Sequence, residues 1–143
     1  MDEKDIEILK ELIKNANVTL GQLAGKLNMS ISTIHKRLNN LNKHVIEQYT
    51  VVVDPKLVGI NIIAFLGISL DFTFKENIIE YLKERKWAQE IYELLEPFDL
   101  FVKVKVGGIK DLKDIIREVS NLEGVREVSS FIVTERHKER YEV

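Results

Sequence analysis

The sequence contains no cysteine and, among its 143 residues, only two prolines and seven glycines. Without cysteine there is no disulfide framework, no thiolate metal site and no cysteine nucleophile. No apolar run reaches the roughly 18 residues that a membrane-spanning helix requires. The longest candidate, residues 60–70, is interrupted by Asn61, Gly67 and Ser69. The first residues, Met1 to Lys4, lack the basic-then-apolar profile of a secretory signal. These absences predict a cytoplasmic protein without a membrane span.

Charge is distributed unevenly along the chain, although the net charge is only −2. Between Thr19 and His44 there is no Asp or Glu. The same stretch carries the basic residues Lys26, Lys36, Arg37 and Lys43. The rest of the chain is acidic and would be repelled by a polyanion, so the split predicts two modules with different tasks. Frequent Lys, Glu and Ile favour a thermophilic source.

Three short amphipathic helices are predicted in the N-terminal module. Apolar residues at spacings of three and four predict helices over residues 2–14, 20–27 and 31–43. Thr19 and Ser30 are suitable N-caps for the second and third helices. The predicted inner face of the third helix is Ile31, Ile34, Leu38 and Leu41. Because only about three residues join the last two helices, the pattern predicts a helix-turn-helix.

The outward face of the third helix carries the residue types that contact DNA. Arg and Lys reach phosphates or guanine, Asn pairs with adenine, and Ser or Thr contacts bases or phosphates. The alternative is a polar face that is merely solvated, but the tight turn and the absence of acids favour double-stranded DNA as the partner. The predicted contact residues are Ser30, Ser32, Thr33, His35, Lys36, Arg37 and Asn40.

The second half predicts an α+β domain of the ferredoxin-like type, β-α-β-β-α-β, with both helices on one face of an antiparallel sheet. A linker strand over Val45–Val53 ends at a turn signal, Asp54-Pro55. The predicted strands are 60–72, 88–95, 100–106 and 125–135, and the predicted helices are 75–86 and 109–121. The predicted domain organisation is a helix-turn-helix domain over 1–50, a linker strand and turn over 51–59, and the ferredoxin-like domain over 60–143. Trp87 is predicted to be a packing residue.

The first strand of this domain is apolar on both sides. Ile62, Ala64, Leu66 and Ile68 alternate with Ile63 and Phe65. Helices on one face can bury only one of these rows, and a large exposed apolar patch usually marks an interface. The strand therefore predicts a homodimer formed through the open face of the sheet, the alternative being that the linker strand covers this row.

The chain resembles the leucine-responsive/AsnC (feast/famine) regulators, and the resemblance extends over almost its whole length. Residues 30–38, Ser-Ile-Ser-Thr-Ile-His-Lys-Arg-Leu, resemble the recognition helix of that family. Further matching segments are Asp5–Leu9, Leu23-Ala24, Val45–Thr50, Val53–Pro55, Leu57–Gly59 and Gly124-Val125. The resemblance implies a helix-turn-helix joined to a ligand-sensing domain, dimers that often form octamers, and control of transcription by an effector such as an amino acid. A dimer predicts a pseudo-palindromic operator.

The sequence departs from the family pattern at several positions. His44 and Gln48 stand where members usually have glycine, and Asn39, Asn40 and Asn42 replace positions that are often charged. The first difference predicts a different hinge between the domains, and the second predicts fewer phosphate contacts.

A further departure falls in the region that the resemblance assigns to the effector. Glu96 stands where members commonly carry the glycine that lets a backbone approach a ligand. The turn from Glu96 to Asp99 maps onto the effector region, so the candidate effector contacts are Glu96, Phe98 and Asp99. The alternative is a turn stiffened by Pro97 with a carboxylate at the surface.

No catalytic, metal-binding or cofactor site is predicted. No two histidines have metal-ligand spacing on one helix, and there is no glycine-rich phosphate loop, so the chain is predicted not to be an enzyme. Two alternatives stay open. Siroheme decarboxylases resemble the same family but use histidine in their C-terminal half, where this chain offers His137. The chain could also be a regulatory module that binds a partner protein.

Overall fold

The computed structural model describes residues 1–140 and 142–143, which form two compact units. One unit comprises Met1–Val52 with His137–Val143, and the other comprises Val53–Arg136. The first boundary along the chain, between Val52 and Val53, falls within the linker predicted over 51–59.

The first unit contains the three predicted helices, α1 (Glu3–Lys14), α2 (Leu20–Leu27) and α3 (Ile31–His44). The sequence starts each helix with a side-chain cap: Asp2, Thr19 and Ser30 accept hydrogen bonds from backbone N–H groups in the first turn. The α2–α3 turn passes through Asn28, whose backbone is left-handed with φ 50°. The buried apolar residues of the unit are Ile8, Leu9, Leu12, Leu23, Ala24, Ile34 and Leu41.

Glu11 of α1 forms ionic contacts with one lysine of its own helix and with one lysine of α2. The carboxylate of Glu11 accepts hydrogen bonds from Lys14 Nζ and from Lys26 Nζ, both at 2.7 Å. These hydrogen bonds, with Lys14 the larger influence, lower the pKa of Glu11 from 4.5 to about 2.

The second unit is a four-stranded antiparallel sheet with two helices, in the order β-α-β-β-α-β that the sequence predicts. The elements are β1 (Ile62–Leu70), α4 (Lys75–Lys83), β2 (Ala88–Glu93), β3 (Leu100–Val106), α5 (Ile109–Ser120) and β4 (Val125–Ile132). The strands lie side by side in the order β2-β3-β1-β4, and every neighbouring pair is antiparallel.

One row of each central strand forms the core under the helices. Ala64, Leu66, Ile68 and Leu70 of β1 and Leu100, Val102, Val104 and Val106 of β3 are buried. They share one cluster with Ile78 and Leu82 of α4 and with Leu112, Ile115 and Val119 of α5, so both helices cover the same face of the sheet. Trp87 is half-buried against this cluster, and its carbonyl accepts a 3.1 Å hydrogen bond from Lys105 N. The prediction that Trp87 is a packing residue is confirmed.

The structure differs from the sequence predictions at the linker and at several element ends. No strand occupies Val45–Val53: α3 extends to His44, and residues 46–54 have no regular secondary structure. A strand needs a neighbour for its backbone groups, and within the described chain this segment has none, leaving Val51 and Val52 exposed at 80% and 71%. The strands predicted over 60–72 and 125–135 are longer than the observed β1 and β4, and α4 ends at Lys83 rather than at residue 86.

Candidate nucleic-acid interface and effector domain

Three hydroxyl groups gather at the N-terminus of α3. Ser30 Oγ accepts from Thr33 N at 3.1 Å and lies 2.7 Å from Thr33 Oγ1 and 3.0 Å from Ser32 Oγ. All three residues are exposed. Since the N-terminal end of a helix carries partial positive charge, this hydroxyl cluster is suited to an anionic group such as a DNA phosphate.

The next turns of α3 continue this exposed polar surface. His35, Lys36 and Asn40 are all exposed, and His35 Nδ1 lies 3.5 Å from the amide nitrogen of Asn39. Within the described part of the chain, no carboxylate lies within ion-pairing distance of Lys36. We refer to Ser30, Ser32, Thr33, His35, Lys36 and Asn40 as the α3 face. Six of the seven predicted DNA contacts therefore form one accessible surface.

Arg37 is separated from the α3 face by its contacts with α1. Its Nη1 donates to both carboxylate oxygens of Asp2 at 2.8 Å and to Asp5 Oδ1 at 2.7 Å. The hydrogen bond to Asp5, followed by that to Asp2, raises the pKa of Arg37, and Arg37 lowers the pKa of Asp2. Asp2 and Asp5 also form the capping box of α1. The guanidinium thus connects the recognition helix to the start of α1 instead of pointing outward as predicted.

One residue assigned to the core by sequence lies on the surface. Ile31 was expected on the inner face of α3, yet it is 56% exposed, whereas Ile34 is fully buried. Ile31 is the first residue of the helix, directly after its cap. Its position directly after the predicted cap Ser30 could have indicated this exposure, because packing neighbours often do not extend to the first residue of a helix.

The open face of the sheet, opposite α4 and α5, carries four phenylalanines. The aromatic face consists of Phe65, Phe98, Phe101 and Phe131. The rings of Phe65 and Phe101 stack at 5.2 Å between centroids, and Phe131 lies 5.9 Å from Phe98 and 6.1 Å from Phe101. Phe131 is 47% exposed. The second apolar row of β1, on which the dimer prediction depends, therefore belongs to a larger apolar surface that is only partly covered within the described chain.

Phe98 approaches the sheet so closely that it requires glycine beneath it. A Cβ atom at Gly67 would lie 2.4–2.6 Å from three ring atoms of Phe98. Gly67 is in the middle of β1, where glycine is otherwise unfavourable, and glycine in a strand often marks such a close approach.

The structure does not gather the three predicted effector contacts into one pocket. Asp99 is engaged with β1: its Oδ2 accepts from Leu70 N at 2.8 Å, and its N–H donates to the carbonyl of Ile68 at 2.9 Å. Phe98 belongs to the aromatic face, and Glu96 is exposed. Asp99 and Phe98 therefore shape the turn, and Glu96 is the accessible member of the three.

A separate cavity of about 300 Å³ lies in the second unit, beside the start of β1 and the segment after β4. Lys56, Asn61 and Thr134 contribute polar groups to its wall. Among the described residues, no group of three or more His, Asp or Glu side chains is placed to hold a metal ion. In the same part of the chain, no helix has the length and apolar character needed to cross a membrane.

Two family models match the chain. Residues 1–43 match a winged helix-turn-helix DNA-binding model, and residues 63–143 match the Lrp/AsnC ligand binding domain. The chain is 30% identical to the HTH-type transcriptional regulator FL11 of Pyrococcus furiosus, covering 100% of this chain and 95% of that protein. It is 29% identical to the HTH-type transcriptional regulator LrpA of Pyrococcus horikoshii, covering 96% and 99%.

Solved structures share the fold along the whole chain. The transcriptional regulator NMB0573 of Neisseria meningitidis, crystallised as a complex with L-Met, superposes with a TM-score of 0.94 at 20% identity, covering 100% of this chain and 96% of that one. AsnC of E. coli superposes with a TM-score of 0.90 at 24% identity, covering 99% and 97%.

Proposed function

The chain belongs to the Lrp/AsnC family of transcriptional regulators, and from this membership we propose that it binds a pseudo-palindromic operator as a homodimer through the α3 face. It is a helix-turn-helix DNA-binding regulator with a C-terminal Lrp/AsnC ligand binding domain. The observation that carries the proposal is the α3 face itself, an exposed helix surface without a carboxylate and with three hydroxyls at its positive end. Its second turn carries Lys36, which has no ion-pair partner among the residues that the structure describes.

The residues of α3 have two different roles in this proposal. Lys36 binds a backbone phosphate, while Ser32, Thr33, His35 and Asn40 contact base edges or the backbone. Arg37 is a positioning residue, because its guanidinium already donates to two carboxylates and holds α3 against α1.

The salt dependence of binding distinguishes these roles. Each phosphate neutralised by a side chain contributes about one unit to the slope of log affinity against log salt. Because the proposed dimer carries two copies of Lys36, we expect Lys36→Gln to weaken binding to a selected operator and to reduce this slope by about two. Arg37→Gln should instead lower the thermal stability of the helix-turn-helix unit and leave the slope unchanged. Lys10→Gln, which removes an exposed lysine from α1, is the matched control.

Two results would contradict these assignments. A smaller slope for Arg37→Gln with unaltered stability would place its guanidinium on a phosphate. Failure of the wild-type protein to select any sequence from random DNA, even at low salt, would contradict the proposed function as a whole.

The aromatic face is the proposed dimer interface. Four neighbouring phenylalanines on an open sheet form the kind of apolar patch that proteins cover by association. A charge placed there should convert dimers to monomers, so Phe101→Glu should halve the mass measured by analytical ultracentrifugation. Phe72→Glu, which alters a 62% exposed phenylalanine outside this face, should not. A dimer that survives Phe101→Glu would require another interface.

The C-terminal domain is proposed to bind an amino acid at the turn that carries Glu96. The similarity to a regulator crystallised with L-Met and the match to a ligand-binding model support this class of effector. Thermal shift titration against the twenty amino acids should identify a stabilising ligand. Glu96→Gln should weaken the shift, and Lys56→Gln, in the wall of the separate cavity, should not. The reverse pattern would move the effector site to that cavity.

A further inference from the structure

Ile31 is an apolar side chain in the first turn of the recognition helix that the domain core does not use. Along α3, Ile34 and Leu41 are buried at 0% and 1% exposure, but Ile31 is 56% exposed. Its sequence neighbours Ser30, Ser32 and Thr33 are polar and exposed, and so is His35, which follows one helical turn later. An isolated apolar residue here would contact whatever the first turn of α3 approaches.

The polar groups around Ile31 already have partners within the chain. Ser30 Oγ accepts from Thr33 N and is paired with the hydroxyls of Ser32 and Thr33 at 3.0 and 2.7 Å. These contacts restrict the hydroxyl directions available for reading a base edge by hydrogen bonding. The branched apolar surface of Ile31 is therefore a recognition feature of the first turn that does not depend on these hydroxyl groups.

The chemical partner follows from the base edges of the major groove. The N-terminal residues of a recognition helix are those that contact base edges. The only methyl group that the four bases present there is at C5 of thymine. We propose that Ile31 contacts the C5-methyl group of a thymine in each half-site and so determines specificity at that position. This inference rests on the proposed function, because it requires α3 to enter the major groove.

Removing the methyl group from the DNA measures the contact directly. Replacing thymine by 2′-deoxyuridine deletes the methyl group and leaves the hydrogen-bonding pattern of the base unchanged. Burial of a group of this size corresponds to roughly a fourfold change in affinity. We expect each half-site to contain one thymine at which a single deoxyuridine substitution weakens wild-type binding by about that factor.

The double-mutant cycle pairs each deoxyuridine operator with Ile31→Ala. Operators are first selected from random DNA with the full-length wild-type protein, and affinities are measured by fluorescence anisotropy at one salt concentration. Ile31→Ala should bind the thymine and deoxyuridine operators equally at the sensitive position. Ile109→Ala is the matched control, since Ile109 is also the first residue of a helix and is 47% exposed, but lies in the other unit. This control should retain the full methyl dependence.

Each outcome decides between the two hypotheses. Loss of the methyl dependence in Ile31→Ala alone supports the contact. A selected operator whose methyl dependence is absent, or is unchanged in Ile31→Ala, overturns the contact and leaves the proposed function standing. If no operator is selected, the proposed function fails and this inference fails with it.

Discussion

Replacing Gly67 by alanine tests the close approach of Phe98 to the sheet. The added Cβ would lie 2.4–2.6 Å from three atoms of the Phe98 ring, whereas ordinary contacts begin near 3.4 Å. The ring would therefore have to retreat by about 1 Å, against neighbours that include Phe101 and Phe131. Overpacking of this kind costs about 1–3 kcal/mol, so we expect the free energy of unfolding to fall by that amount.

Removing the ring should reverse the sign of the effect. Phe98 is only half-buried, so Phe98→Ala alone should cost roughly 1 kcal/mol of apolar burial. In the Phe98→Ala background the obstacle is gone, and alanine is favoured over glycine in a strand by about 0.5–1 kcal/mol. Gly67→Ala should then be neutral or stabilising.

Chemical denaturation followed by circular dichroism measures all four proteins of this cycle. Protein concentration must be held constant, because association contributes to apparent stability. If Gly67→Ala destabilises the chain equally with and without the Phe98 ring, the reasoning from the close approach is wrong. Gly21→Ala, on a helix where a Cβ meets no atom within 4 Å, is the control for glycine replacement itself.

Three further predictions concern single contacts. Glu11→Gln should destabilise the chain above pH 4.5, and the difference from wild type should disappear as the pH falls toward about 2. The reason is that the pKa of Glu11 is lowered in the folded state and that protonation of its carboxylate removes the ionic contact. Measurement of Tm against pH checks this, and an effect independent of pH would contradict it. Ser30→Ala removes the cap of α3 and should cost about 0.5–2 kcal/mol in urea unfolding, whereas Ser30→Gly should cost only a few tenths. Asp99→Ala should cost about 1–3 kcal/mol by leaving Leu70 N without its acceptor, and Asp99→Asn, which keeps an acceptor oxygen, should cost less; equal losses would exclude this hydrogen bond as the cause.

The helices and the strand order could be predicted because local signals agree with the fold. Caps at Thr19 and Ser30 and apolar residues at helical spacing indicate α2 and α3 through signals that lie within each segment. The alternation along residues 62–70 and 100–106 marks buried strands in the same way. Segment ends were predicted less well, because composition does not show where a neighbouring strand stops.

What the sequence could not show depends on pairs of residues far apart along it. Arg37 was predicted to point outward because of its position along α3, but its partners Asp2 and Asp5 lie more than thirty positions away in the sequence. Ile31 satisfied the apolar periodicity, yet the packing neighbours do not extend to the start of α3. For the linker, β-branched composition favours a strand, but a strand forms only where another backbone is available to pair with it.

Trp87 is the only tryptophan of the chain, and it packs in the unit formed by residues 53–136. The helix-turn-helix unit is therefore silent in tryptophan emission. Because the proposed DNA contacts all lie in the helix-turn-helix unit, a change in this emission when DNA is added would report an effect on the sheet domain. The protein thus contains its own optical reporter for communication between the unit that binds the operator and the unit proposed to bind the effector.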